Sequence, residues 1–110
     1  ATKEFHAAMK KYAPGVLEKS QAPQSTTQVW TGAKLFEAAA QNITVDNPTP
    51  QDVKNALYTI KDNDLGGLAP TPLTFTQGQP TNVPCWFRLE VKNHKVIAPV
   101  GMKPECSPAS

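Results

Sequence analysis

Proline restricts what this chain can fold into more than any other residue type. Eleven are present, at positions 14, 23, 48, 50, 70, 72, 80, 84, 99, 104 and 108, about twice the usual share. Proline ends helices and is excluded from central strands. Regular structure is therefore confined to the proline-free windows 1–13, 24–47, 51–69 and 85–98, and each window carries its own hydrophobic pattern.

In the first window Phe5, Ala8, Met9 and Tyr12 recur at i, i+3, i+4 and i+7, one apolar face of a helix. Ala13-Pro14-Gly15 stops it. Lys10 and Lys11 suit the negative end of its dipole, which explains them without any phosphate. In the third window Thr49 is placed as an N-cap, with Pro50 at the first helical position and Asp52 as the acid of the first turn. Val53, Ala56, Leu57 and Ile60 then repeat an apolar face.

The second window differs. From Thr27 to Asn42 the residues Val29, Trp30, Ala33, Leu35, Phe36, Ala38, Ala39 and Ala40 leave only a narrow polar stripe of Lys34, Glu37 and Gln41. A helix apolar around most of its circumference needs cover on more than one side, and nothing in the chain looks large enough to supply it.

Further on the period changes to 2. Cys85, Phe87, Leu89 and Val91 alternate with Trp86, Arg88, Glu90 and Lys92; then Asn93-His94 interrupts before Lys95 to Ala98. This predicts a β-hairpin, with Asn93 supplying the positive φ of a tight turn. Leu73 to Thr76, followed by Gln77-Gly78, predicts another short strand. The tail from Gly101 is expected to be extended and held, if at all, through Cys106. The fold class expected is thus α/β, reading as α+β in isolation: three helices, then a short strand and a β-hairpin. So few strands cannot cover three helices, so the chain reads as the tail end of a larger α/β protein.

Lys and Arg number 11 against 9 acids, a net charge of +2 spread without a block, so no footprint for nucleic acid or an anionic membrane is present. The longest apolar run falls far short of a membrane span. No signal-like segment opens the chain, so export would rely on a signal removed or lying upstream of Ala1. Catalytic constellations are also missing: His6 and His94 have no nucleophile motif beside them, and a Cys85–His94 pair has nothing to orient it. Asp62-Asn63-Asp64 begins like a calcium loop without the later ligands and is better read as a turn. Asn42-Ile43-Thr44 is a glycosylation sequon by pattern only. Neither an enzyme, a metal nor a cofactor is expected. Trp30 reads as packing before ligand contact, while Trp86 is open between the two.

Cys85 and Cys106 form no C-x-x-C pair, which argues against zinc or a redox motif. Two states are left: two unpaired thiols, or one disulfide closing a loop of about 20 residues and adding roughly 3 kcal/mol in an oxidising compartment.

The ordered segments Glu4-Phe5-His6-Ala7-Ala8-Met9-Lys10-Lys11-Tyr12, Trp30-Thr31-Gly32-Ala33-Lys34-Leu35-Phe36-Glu37-Ala38-Ala39 and Thr49-Pro50-Gln51-Asp52-Val53-Lys54-Asn55-Ala56-Leu57 resemble the C-terminal third of type I periplasmic substrate-binding proteins. These are the receptors of ABC importers of the branched-chain amino acid class. Leu65-Gly66-Gly67-Leu68, Leu73-Thr74-Phe75-Thr76 with Gly78, and Val91-Lys92-Asn93-His94-Lys95-Val96 continue the resemblance in order, over nearly the whole chain. The one departure is His94, where the family usually has Gly after Asn.

The resemblance implies a two-lobed fold that closes on its solute. Residues 1–84 would be helices and the last strand of the first lobe; residues 85–110 would be a crossover, the closing hairpin of the second lobe and the tail. Pro84, Cys85, Trp86 and Phe87 would form the hinge. Gln28 and, beside it, Trp30 are the residues nearest the ligand cleft. It further implies a bacterial periplasmic location and a solute that is an amino acid or a similar aromatic or aliphatic carboxylate. The implied partners are an ABC transporter permease and either the remaining receptor chain or a second copy of this one, without nucleic acid or membrane insertion. Apart from the resemblance, the same residues fit a small secreted interaction or structural domain stapled by one disulfide.

Overall fold

The computed structural model describes residues 2–17 and 24–108. Three helices come first: α1 (Thr2–Tyr12), α2 (Gln24–Ala40) and α3 (Pro50–Leu57). Four short strands follow: β1 (Cys85–Phe87), β2 (Glu90–Lys92), β3 (Lys95–Ile97) and β4 (Pro104–Cys106). The architecture is a mixed α+β one with two small antiparallel sheets, β1 with β4 and β2 with β3.

Local chemistry explains each helix. In α1 the expected apolar face buries Phe5 and half-buries Ala8 and Met9. Tyr12, expected on that face, is instead 76% exposed; the helix ends there, and the Lys11 ammonium lies 4.9 Å from its ring centre. Gly15 then takes φ 83°, a left-handed turn that suits glycine. In α3 the Thr49 hydroxyl accepts from the Asp52 N–H at 3.3 Å while the Asp52 carboxylate accepts from the Thr49 N–H at 2.8 Å, a complete capping box. The helix stops at Leu57, and Ile60 reaches the core through a tighter turn, its N–H donating to the Leu57 carbonyl at 3.2 Å.

The core lies between α2 and α3. Ala39, Ala56 and Ile60 are buried there, with Leu35, Ala38, Ile43, Leu57 and Phe75 packed around them. The small alanine side chains let the two helices approach closely. α1 half-buries a second stretch of α2 at Trp30, but another side of that helix is not covered, where Val29 is 71% and Phe36 54% exposed.

Two strand expectations need correction. Leu73 to Thr76 is not a strand. Leu73 makes a single bridge to Asn63, the Phe75 N–H donates to the Ile60 carbonyl at 3.2 Å, and Thr76 pairs back with Gln79. Pro72 offers no N–H to extend a ladder, and Phe75 is drawn into the helical core. Nor is 85–92 one strand of a hairpin, because it breaks at Arg88-Leu89 and its halves take different partners. Only β2 forms the hairpin with β3, in the register Glu90 with Ile97 and Lys92 with Lys95. β1 pairs with the tail, Cys85 opposite Cys106 and Phe87 opposite Pro104. The hairpin turn holds Asn93 at φ 51° and His94 at φ 60°, the double left-handed geometry of a two-residue turn.

The chain is spread out for its length. Its radius of gyration is 16.5 Å, where about 13 Å is usual. It exposes 8471 Å², against about 5,900 Å² for a compact monomer of 11.9 kDa.

Candidate functional site

A cavity of about 520 Å³ opens where α1, α2 and the strand end meet. From α2, Thr27, Trp30 and Thr31 share one face by their i, i+3, i+4 spacing, with Gln28 beside them. Thr2 and Phe5 enter from α1 and Leu68 from the loop after α3. Phe87 of β1, Leu89 between the strands and Met102 between β3 and β4 complete the wall.

Phe5 and Trp30 fix the α1–α2 angle. Their rings meet edge to face at 5.6 Å and 62°, a favoured aromatic geometry. Beside them Lys34 lies 3.2 Å from Glu4 and 2.8 Å from Glu37. Hydrogen bonds that its ammonium donates to Glu37 first and Glu4 second raise its pKa from the ordinary value. The Trp30 indole Nε1 is closed off from solvent and has no hydrogen-bond partner. Trp30 thus serves packing and lines the cavity at once.

The opposite wall is held by cross-links. Cys85 and Cys106 are joined in a disulfide between directly opposed positions of β1 and β4. The Ser107 N–H donates to the Pro84 carbonyl at 2.9 Å. Arg88 lies 3.4 Å from Glu90 and 3.3 Å from Glu105. These links fix the C-terminal end of the segment that carries Met102, and the β2–β3 ladder, with Glu90 opposite Ile97, holds its other end.

Gln28 and Trp30, read from sequence as cleft residues, both line this cavity, and Phe87 of the expected hinge joins them. Pro84 and Cys85 do not line it; they anchor the wall from behind. Trp86, alternating with Phe87 along β1, is 48% exposed and lies off the cavity. Leu68, Leu89 and Met102 escaped sequence reasoning. Leu89 could have been found from its period-2 register with Phe87, whereas Met102 sits in an irregular segment with no period to reveal it.

Among the described residues no charged side chain lines the cavity. Among the described residues no group of three or more His, Cys, Asp or Glu could hold a metal, and Asn63 and Asp64 are occupied as turn residues, their side-chain oxygens accepting from the Leu65 and Gly66 N–H groups at 2.8 and 2.9 Å. Cys85 is spent in its disulfide, so it cannot pair with His94 as a nucleophile. Among the described residues no helix is long and apolar enough to cross a membrane. Walls of this kind can hold a small molecule by shape and apolar contact, with Gln28 and the threonines as the polar groups that orient it. No protein family, characterised protein or solved structure gives a significant match to the chain.

Proposed function

We propose that this chain is the C-terminal part of an extracytoplasmic solute-binding receptor of an ABC importer, which takes up an amino acid or similar small carboxylate without chemistry. The observation that supports this most is the meeting of Gln28, Trp30 and Phe87 around one cavity. The sequence resemblance assigns the first two to a ligand cleft and the third to a crossover between lobes, and these are distant in the chain. The surface excess of about 2,500 Å² over a compact monomer fits a chain whose helices pack against further polypeptide. A disulfide between Cys85 and Cys106 fits an oxidising compartment such as the periplasm.

The same disulfide favours a second reading, a small secreted interaction domain stapled at its tail. The two part on native size and on cooperativity. An antibody against the chain should detect, in a periplasmic extract, a polypeptide larger than 11.9 kDa, and that polypeptide should gain thermal stability from at least one member of a panel of amino acids and small carboxylates. The isolated chain should bind none of them. A native species of 11.9 kDa that melts cooperatively as a monomer would replace the receptor by the stapled domain.

A further inference from the structure

We propose that the cavity between α1, α2 and the strand end receives the uncharged aromatic body of the solute, which rests on the receptor reading above and narrows its ligand to an aromatic carboxylate or aromatic amino acid. The volume of about 520 Å³ lies in the range of small-molecule sites. Three of its walls are aromatic, Phe5, Trp30 and Phe87, and Leu89 and Met102 close it with aliphatic and thioether surface. Ring edges and faces and a methionine sulfur all favour an aromatic guest.

Charge argues the same way. A carboxylate or ammonium placed among these walls would lose its hydration with no counter-charge to replace it. Of the cations adjacent in sequence to lining residues, Arg88 is committed to Glu90 and Glu105, and the side chains of Lys3 and Lys103 do not line the cavity; Lys34, one turn beyond Thr31, is held by Glu4 and Glu37. The Thr31 hydroxyl donates its proton to the Thr27 carbonyl at 2.9 Å, and the Gln28 amide offers two N–H donors at the polar side. The solute therefore lies with its ring inside and its carboxylate toward Gln28 and out of the apolar walls.

The test is calorimetric titration of the native polypeptide that contains this chain with benzoate, L-phenylalanine and L-glutamate. Benzoate or L-phenylalanine should bind at least about tenfold more tightly than L-glutamate. Leu89→Asp should weaken that binding by at least about tenfold, and Val91→Asp, on the neighbouring strand and off the cavity, should leave it unchanged; the circular dichroism melt of each variant, compared with that of wild type, separates lost binding from lost fold. A preference for L-glutamate would overturn the solute class and leave the receptor reading standing. Aromatic binding untouched by Leu89→Asp would place the site elsewhere and overturn the proposal. Silence from all three would overturn it as well, and silence from the wider amino acid panel too would remove the receptor reading with it.

Discussion

Between α2 and α3, Ala39, Ala56 and Ile60 are shut away from water by Leu35, Ile43, Leu57 and Phe75; at the other end of the molecule Leu89, Val91 and Val96 stand 58%, 78% and 68% exposed. The helical end is held by apolar burial and by local devices such as the Thr49–Asp52 capping box. The strand end has almost no core of its own. Its order rests on the Cys85–Cys106 bond, on two three-residue ladders and on Arg88 between Glu90 and Glu105. Exposed ion pairs of that kind contribute little, so the covalent link is the main fastening there. One chain thus joins a small conventional core to a flap that a crosslink keeps in place.

Ile60→Ala should break the first half of this contrast most severely. Ile60 is 4% exposed, and removing its side chain from so small a core should cost about 3–4 kcal/mol. Far-UV circular dichroism should show the melt of the α2–α3 unit moving down, with amide exchange in β1 and β4 little changed. Reduction of the disulfide, or Cys85→Ser with Cys106→Ser, addresses the second half. It should cost about 3 kcal/mol in the loop-entropy account and release the β1 and β4 amides to fast exchange, while the α3 amides keep their protection. If reduction loosened both ends alike, the division into two differently held regions would be wrong.

Thr49→Ala should act more weakly, at about 1 kcal/mol, and only on the helical end. Its effect should depend on pH. The Thr49 hydroxyl, then its backbone N–H, hold the Asp52 carboxyl below its ordinary 3.8. A depressed carboxylate stabilises the fold above its unfolded value and loses that contribution as pH falls through its folded value. The gap between wild type and Thr49→Ala should therefore narrow on acidification below about pH 4, and a gap that widened there would contradict the capping geometry.

What the sequence revealed was whatever a few neighbouring residues decide. Thr49-Pro50 with Asp52 announces α3 because a cap, a fixed φ and an N-terminal acid act within one turn, and Asn93 announces the hairpin bend for the same reason. The partner of β1 was not legible, because Trp86 meets Glu105 and Phe87 meets Pro104 across a long stretch of chain, and a three-residue strand carries no period that names its partner. The segment at Leu73 misled for a related reason: its residues suit a strand, but Phe75 is taken by the helical core. Gln28 and Trp30 were found in sequence through resemblance, while Met102 depends on a crosslink that fixes an irregular segment.

His94→Gly tests the smallest element of the contrast. His94 sits at φ 60°, a left-handed conformation that costs a side-chain-bearing residue about 1 kcal/mol, and glycine offsets part of the gain through its freer unfolded chain. A net stabilisation of a few tenths of a kcal/mol is expected, read as slower exchange of the Lys95 amide with α3 unaffected.

The central claim is that the exposed apolar side chains of this piece are covered in the native protein. Carbene footprinting of the native polypeptide and of the isolated chain, with side-chain labelling read by peptide mass spectrometry, compares them directly at Val29 and Phe36, which stand 71% and 54% exposed here. The account predicts strong labelling of both in the isolated chain and protection of both in the native protein. Equal labelling in the two samples would contradict it.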